Sequence, residues 1–381
     1  MADTAYERFL KDPDKEEAIE VDIKKSQPLD LDQIKLKIKN ELSSQTKPKK
    51  PVKWLAMPDP KNIMSLYYQL NPTKRLSDSL FMDPKLKEIS GIEFDKYKRL
   101  WAINDSGDGP ILYMLNKDGT IEREVTVTNA KNVDWEDMTQ NSFGHFFLGD
   151  FGNNDNNRRW LTIYKIENPI DIKTDTTEAE IIKFTYPEMA KGKIKPKDKN
   201  YDLEAFVEYK RNLYLFTKNR TQPFDGITKL YKVGDHAANF DAKLIGEFKT
   251  CTTLEKLCWI TSAAISPDRT KLVLLDSTSL WLFENFDGDN FFSGDVSRID
   301  LGVVTQKEAV TFYDDNTLVF TDEEYKGLFG GNVYEVKLDQ AKRNVIKYRK
   351  ATKQVSDGLK AKREDAEIER KSSPSDKVPK Q

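Results

Sequence analysis

The sequence predicts an all-β fold, a β-propeller of five four-stranded antiparallel blades closed by a strand from the N-terminal side. Two observations support this prediction. Short runs rich in β-branched and aromatic residues alternate with Gly, Asn, Asp and Pro, as is typical of strands and turns. An apolar residue followed by an aromatic one also recurs in each unit, at Tyr113, Tyr164, Tyr231, Trp281 and Tyr334. No amphipathic helical stretch separates these runs, which argues against a parallel α/β fold.

Each of these aromatic residues marks the third of four strand-like runs in a repeating unit. The first runs lie at 88–94, 135–139, 204–209, 262–266 and 308–312. The second runs lie at 100–105, 146–150, 213–218, 272–276 and 318–322. The third runs lie at 111–116, 161–166, 228–233, 279–284 and 332–336. Five such units predict five blades.

A fourth run follows the third in every unit except the fifth. The run at 63–70, upstream of the first unit, can supply this missing strand, which would close the ring without a free sheet edge. The connection at 187–201 leaves a sixth blade as the alternative, although it has few residues for four strands.

The two ends of the chain differ from this middle part. We assign residues 1–60 to a polar N-terminal extension, residues 61–340 to the propeller and residues 341–381 to a charged tail. Apolar residues at helical spacing predict a short surface helix at 31–42. We expect the tail to be disordered, because it buries too little apolar area to offset its ordering entropy.

Composition excludes several classes of protein. Charged residues make up 33% of the chain, yet the formal net charge is −2, whereas a nucleic-acid binder would carry a basic excess. No apolar run reaches the roughly 18 residues of a membrane helix, and the first residues lack the apolar core of a secretory signal. Two His and two Cys are too few for a usual zinc site. Cys251 and Cys258 form either a short disulfide loop or two free thiols.

Acidic residues recur at fixed places in the units. In an antiparallel blade the start of the first strand and the end of the second lie on the same face. The first runs begin with Glu88, Glu136, Glu204 and Glu308, and Ser262 takes this place in the fourth unit. The second runs end with Asp105, Asp150, Asp276 and Asp322, and with Lys218 in the third unit. The repeat therefore predicts two rings of polar residues at one mouth of the central channel.

Such a ring requires compensation, because two like charges about 5 Å apart repel by roughly 3 kcal/mol at an effective dielectric of 20. Raised pKa values, basic partners or a bound cation would each relieve this repulsion. Lys218, Arg220 and Arg158 are the basic candidates. Neutral oxygens would come from Asn104, Asn132, Asn153, Asn154 and Asn219, and such a donor set favours Ca²⁺ over Zn²⁺. Purely structural carboxylates that bind turn amides are the alternative.

The motifs EISGIEF, NDSG, DWED, GDFGNN and DLEAF follow one another in order between residues 85 and 337. This pattern resembles a family of mostly uncharacterised bacterial propellers that is frequent in Bacteroidetes and usually exported. It is more distantly similar to the propellers of the gluconolactonase and senescence-marker group and to phytase- and esterase-like propellers. The resemblance implies an axial divalent cation held by Glu88, Glu136, Glu204 and Glu308, with Asn104 and Asp150 as further ligands. Export to the periplasm or cell surface would fit a disulfide between Cys251 and Cys258.

Two functions follow from these observations. The first is a monomeric binding protein that holds a small molecule or a protein ligand at an acidic, Ca²⁺-binding channel mouth. Its ligand-binding residues would be Trp135, Asn153, Asn154, Arg158, Lys218 and Arg220, although a place in the core suits Trp135 somewhat better. The alternative is a metal-dependent hydrolase of lactones, esters or phosphoesters, with Glu136 and Glu204 as catalytic residues. The chain has no GxSxG, Walker or HExxH motif, which favours the binding protein.

Overall fold

The computed structural model describes residues 74–75, 83–251, 254–302, 305–324 and 330–347, and these residues form a five-bladed β-propeller. The predicted fold class and the number of blades are confirmed. The described residues contain one four-residue α-helix, α1 (Glu255–Cys258). They also contain 3₁₀ helices at Pro84–Leu86, Pro187–Lys191, Pro196–Asp198 and Phe291–Ser293. No described helix is long and apolar enough to cross a membrane.

The strands follow the order that the repeat predicts, from the axis outward. Blade 1 has β2 (Ile89–Phe94), β3 (Leu100–Asn104), β4 (Ile111–Leu115) and β5 (Ile121–Val127). Blade 2 has β6 (Trp135–Gln140), β7 (Phe146–Asp150), β8 (Leu161–Ile166) and β10 (Glu180–Thr185). Blade 3 has β11 (Asp202–Tyr209), β12 (Asn212–Lys218), β13 (Ile227–Gly234) and β15 (Lys243–Lys249). Blade 4 has β16 (Ser262–Ile265), β17 (Lys271–Leu275), β18 (Ser279–Glu284) and β19 (Asp295–Asp300). Blade 5 has β20 (Lys307–Phe312), β21 (Thr317–Asp322) and β22 (Val333–Lys337).

An N-terminal strand closes the fifth blade, as predicted. This strand is β1 (Lys74–Arg75), which pairs antiparallel with β22. The run at 63–70 that the sequence suggested for this role lies outside the described residues, as do the proposed helix at 31–42 and the residues from 348 onward. The connection at 187–201 holds two 3₁₀ helices and no β-strand, so the alternative of a sixth blade there is wrong.

Three further strands lengthen the outer edges of the blades. β9 (Thr176–Thr177), from the β8–β10 connection of blade 2, pairs with β5 of blade 1. β14 (Asn239–Asp241), from the β13–β15 connection of blade 3, pairs with β10 of blade 2. β23 (Arg343–Lys347), which lies past the predicted propeller boundary at residue 340, pairs with β19 of blade 4. Each of these strands covers a sheet edge and ties its blade to another.

The hydrophobic core consists of five clusters, one between each pair of adjacent blades. Because each sheet packs against a neighbour on both faces, the inner strands are almost entirely buried, which explains their continuous apolar runs. The recurring aromatic residues of the third strands lie in these clusters and are at most 6% exposed: Tyr113, Tyr164, Tyr231, Trp281 and Tyr334.

At the axis, one buried carboxylate joins the inner strands. Asp137 of β6 is fully buried, and its oxygens accept hydrogen bonds from the backbone N–H groups of Met138, Phe206 and Ala263 at 2.9, 3.1 and 3.3 Å. The hydroxyl of Ser262 donates to the same carboxylate at 3.1 Å. These partners lie on the inner strands of blades 2, 3 and 4.

The network extends to the remaining two blades. The Ser262 hydroxyl oxygen accepts a hydrogen bond from the Val310 N–H of blade 5 at 3.1 Å. Gly91 of blade 1 packs against the backbone of Asp137 and Met138, and a Cβ added to Gly91 would lie 2.9 Å from the Met138 nitrogen. The five inner strands therefore meet around Asp137 without space for a larger side chain in blade 1.

We predict that Asp137→Ala lowers the free energy of unfolding by about 3 kcal/mol, because it leaves three buried N–H groups and a hydroxyl without their acceptor. Asp137→Asn should cost less, since its amide oxygen still accepts from some of these donors. Urea unfolding followed by circular dichroism measures both effects, with the exposed Asp155→Asn as control. A free energy of unfolding for Asp137→Ala equal to that of the wild type would contradict this assignment.

Candidate functional site

The acidic channel mouth is built on a bulge at the start of the inner strands. In β6, β11 and β20 the pairing with the second strand of the blade skips one residue, and this residue is Glu136, Glu204 or Glu308. A bulge leaves its residue unpaired and bends the strand, so it can re-aim the side chain. Three of the four glutamates that the repeat singled out therefore occupy one structural position.

Blade 1 has the same bulge, but the residue in it is Ser90. Glu88 lies two residues earlier, is 47% exposed and has the Lys87 ammonium 3.9 Å away. Ser262 of blade 4 lies deeper in the channel, where it binds Asp137. The structure thus places neither Glu88 nor Ser262 at the glutamate position.

Three carboxylates come together on the blade 1 and blade 2 side of the mouth. One oxygen each from Asp105, Asp134 and Glu136 lies within 4.8 Å of the others. Asp105 follows β3, and Asp134 precedes β6. The Asp134 N–H donates to Asp150 at 3.0 Å, and its carbonyl accepts from the Gly152 N–H at 3.1 Å, so the backbone of this acidic cluster is fixed by the end of β7.

Glu136 is the least compensated member of the acidic cluster. Its side chain is 6% exposed, and it makes no hydrogen bond or ion pair with any described residue. Burial, together with the charges of Glu204 and Asp105, raises the pKa of Glu136 well above its ordinary value. Burial and the charge of Asp105 likewise raise the pKa of Asp134 to about 7. A buried, unpartnered carboxylate beside two others is suited to a cation.

Gly152 brings the chain close to this cluster. A Cβ at this position would lie 2.2 Å from Glu136 Oε1 and 2.3 Å from Asp134 Oδ2. Both distances are far below a van der Waals contact, so only glycine permits this arrangement of the two carboxylates.

The basic residues of the mouth are bound to other carboxylates. Lys218 forms a buried ion pair with Glu204, and Arg220 donates to Asp202 at 2.7 Å and lies 3.5 Å from Glu204. Burial alone would lower the pKa of Lys218, but the charges of Glu204 and Glu308 outweigh it and raise that pKa. These two cations therefore compensate the blade 3 carboxylates.

Blade 5 adds two more acidic groups to the mouth. Burial raises the pKa of Glu308, although Lys218 opposes this shift. Burial and the charges of Glu308 and Asp105 raise the pKa of Glu323 to about 7. Gln306 donates a hydrogen bond to Glu323. With the acidic cluster of blades 1 and 2, these groups give the mouth more carboxylates than basic side chains among the described residues.

The acidic residues at the ends of the second strands have a different role. Asp276 accepts from the indole N–H of Trp281 at 2.9 Å, and Asp322 accepts from the hydroxyl of Tyr334 at 2.7 Å. Asp150 instead pairs with Arg158 at 2.9 Å. In blade 1 the strand ends at Asn104, so Asp105 lies one residue beyond this ring. The acidic residues Asp150, Asp276 and Asp322 thus bind partners within their own blades, whereas Asp105 belongs to the acidic cluster.

The other residues proposed from sequence occupy these places. Trp135 is fully buried between blades 1 and 2, and its indole N–H donates to the Lys131 carbonyl. The Asn104 amide donates to Asp108 at 2.8 Å. Asn153 is buried and caps its own loop, whereas Asn154 accepts a hydrogen bond from Arg220. Among these residues, Asn154 is the one that binds a basic residue of the mouth.

Sequence reasoning missed Asp134, Asp202, Glu323 and Trp259. A signal for the first two was present, because Asp precedes Glu by two residues in both DWE (134–136) and DLE (202–204). In blades 1 and 5 the residues at this earlier place are Glu88 and Gln306, two residues before the bulge. Glu88 therefore corresponds to Asp134 and Asp202, and not to Glu136, Glu204 and Glu308 as the sequence suggested. Glu323 and Trp259 lie outside the repeated strands.

No protein-family model matches the chain, and no curated protein sequence matches it. Its neighbours among solved structures are β-propeller proteins. They include an aldose sugar dehydrogenase from Streptomyces coelicolor, at 10% identity over 70% of this chain and 97% of that one, with a TM-score of 0.39. A gluconolactonase from Xanthomonas campestris matches at 12% identity over 65% and 71%, with a TM-score of 0.35. Matches at this level carry no information about activity or ligand.

We predict that Glu136→Gln stabilises the metal-free protein by about 1 kcal/mol at pH 8 and has little effect at pH 5. A carboxyl whose pKa is raised by folding stabilises the fold when protonated, and this contribution is lost as the pH rises. For Asp134, this contribution is lost between pH 3.8, its ordinary pKa, and about pH 7, its pKa in the folded protein. Glutamine stays neutral throughout, so the gain appears only at high pH.

Chemical unfolding in the presence of a chelator measures this effect. Glu88→Gln is the matched control, because this exposed side chain lies outside the acidic cluster and should leave stability unchanged at both pH values. Destabilisation by Glu136→Gln at pH 8 would show that Glu136 has a structural role.

Proposed function

We propose that the protein is an exported binding protein whose channel mouth holds a divalent cation, Ca²⁺, between Asp105, Asp134 and Glu136. The observation that carries this proposal is the Glu136 carboxylate, which is buried, has no partner among the described residues and lies beside two other carboxylates. A divalent cation would offset the mutual repulsion of these groups.

The donor set favours calcium. All three groups of the cluster offer carboxylate oxygens, which hard cations prefer, whereas zinc in proteins favours thiolate and imidazole ligands. Ca²⁺ binds about six to eight oxygens, so three carboxylates leave positions for water and for oxygens of a ligand. The ligand would be a small molecule or a protein segment that completes this coordination at the mouth.

Export is supported by a disulfide bond. The sequence left open whether Cys251 and Cys258 are paired, and the structure contains the bond between them. Disulfides persist in oxidising compartments and are rare in the cytosol. We therefore propose an extracytoplasmic location.

A metal-dependent hydrolase is the second candidate, and the geometry supports it less well. Glu204, one of its expected catalytic residues, is bound to Lys218 and lies close to Arg220, so it is not a free base. Glu136, the other one, belongs to the acidic cluster proposed to hold the cation. A binding role requires neither Glu204 nor Glu136 to act as a free base, so it agrees better with their observed contacts.

We predict that the wild-type protein binds one equivalent of Ca²⁺ and that Glu136→Gln weakens this binding on the order of 10–100-fold, because it removes a charged ligand. Isothermal titration calorimetry measures both affinities. Glu88→Gln is the matched control and should bind like the wild type, since Glu88 is absent from the acidic cluster. Equal losses in the two variants would contradict the assignment of the site, and absence of binding to the wild type would contradict the proposed function.

We also predict that Gly152→Ala weakens Ca²⁺ binding about 10-fold or more, because the new Cβ would displace Glu136 and Asp134 from their present positions. Circular dichroism checks that the variant is folded, and the same calorimetric titration measures the affinity. A folded Gly152→Ala variant with wild-type affinity would show that these two carboxylates do not hold the ion together.

A further inference from the structure

Trp259 lies over two basic residues of the channel mouth, Lys218 and Arg220. The Arg220 guanidinium carbon lies 4.3 Å from the centre of the indole ring, and the Lys218 ammonium lies 5.3 Å from it. Both side chains are largely buried, at 20% and 11% exposure. A cation held over an aromatic face is attracted more strongly when it is shielded from water, so these contacts contribute to the placement of both groups.

Trp259 lies beside the Cys251–Cys258 disulfide. Trp259 directly follows Cys258, and its backbone N–H donates to the Glu255 carbonyl of α1 at 3.1 Å. The Thr250 hydroxyl donates to the Cys258 carbonyl at 3.1 Å. The indole N–H of Trp259 is buried and has no hydrogen-bond partner among the described residues. The ring therefore lies next to the disulfide and against the two cations.

We infer that Trp259, held in place by the disulfide, is a positioning residue that keeps Arg220 and Lys218 on the blade 3 carboxylates and leaves the acidic cluster open for a cation. This inference rests on the proposed function. Arg220 and Lys218 are bound to Asp202 and Glu204, and neither forms an ion pair with Asp105, Asp134 or Glu136.

Electrostatics gives the reason why this placement matters. Arg220 also interacts with the charge of Glu136, and the arginine side chain is long and permanently charged. Without the indole ring above it, the guanidinium would gain freedom to turn towards Glu136 and the other carboxylates of the acidic cluster. There it would compete with the metal ion for the same oxygens.

The inference couples the cation site to the redox state of the cysteines. A dithiol opens the bond by thiol–disulfide exchange, which leaves Cys251 and Cys258 as thiols and the dithiol as a cyclic disulfide, a transfer of two electrons and two protons. Reduction would loosen the segment that carries Trp259 and lower the Ca²⁺ affinity. By linkage, bound Ca²⁺ would make the disulfide harder to reduce by the same factor.

Calorimetric Ca²⁺ titrations of Trp259→Leu, Trp259→Phe and the double variant Trp259→Leu/Arg220→Gln test the inference. We expect the leucine variant to bind about 10-fold more weakly and the phenylalanine variant to stay near the wild type, because phenylalanine keeps an aromatic face. In the double variant the affinity should return to that of Arg220→Gln alone, since the competing guanidinium is gone. A structural role for Trp259 would not produce this rescue.

Dithiol-reduced wild type provides the same test without a substitution, should the leucine variant not fold. Weaker Ca²⁺ binding after reduction, and a smaller reduced fraction at a fixed dithiol concentration when Ca²⁺ is present, support the inference. Unchanged affinity on reduction overturns it. It is also overturned if Trp259→Leu loses as much affinity relative to the wild type as the double variant loses relative to Arg220→Gln. If the oxidised wild type binds Ca²⁺ but these variants do not differ, the inference alone fails. Absence of binding to the oxidised wild type overturns the proposed function as well.

Discussion

Five inner strands converge on one axis, and the Asp137 carboxylate is the group that makes this convergence possible. Backbone N–H groups that face the axis cannot reach a neighbouring strand of their own sheet, and burial without an acceptor would destabilise the fold. Asp137 accepts hydrogen bonds from residues of blades 2, 3 and 4. The Ser262 hydroxyl, which donates to Asp137, also accepts a hydrogen bond from Val310 of blade 5. This network joins the inner strands directly beside the bulges that carry Glu136, Glu204 and Glu308.

The charges at the channel mouth are divided into two sets. On the blade 3 side, Lys218 and Arg220 offset Glu204 and Asp202, and Trp259 covers both cations. On the side of blades 1 and 2, the acidic cluster has no such partner in the described part of the chain. The separation matters for function, because a metal ion binds only where carboxylates are not already neutralised by a side chain. We propose that the disulfide-linked segment that carries Trp259 maintains this separation of the basic residues from the acidic cluster.

The sequence was sufficient for the fold and for part of the site. Repetition of strand-like runs predicts the blades and their number, since each blade must bury the same pattern of side chains. The same repeat finds Glu136, Glu204 and Glu308. It fails in blade 1, where the bulged residue is Ser90 and a glutamate, Glu88, stands two residues earlier. The inner strands are buried on both faces, so their continuous apolar runs do not show which residue lies in the bulge. The repeat also cannot find Trp259, which lies in a connection and reaches the mouth through tertiary packing.

Diffraction from crystals grown with Ca²⁺, recorded at a wavelength where calcium scatters anomalously, tests the central claim most directly. The account predicts one anomalous peak at the mouth, about 2.3–2.6 Å from oxygens of Asp105, Asp134 and Glu136. It also predicts that Arg220 remains on Asp202 beneath the indole ring. No peak at this position at saturating Ca²⁺, or a Glu136 carboxylate neutralised by Arg220 or Lys218, would contradict it.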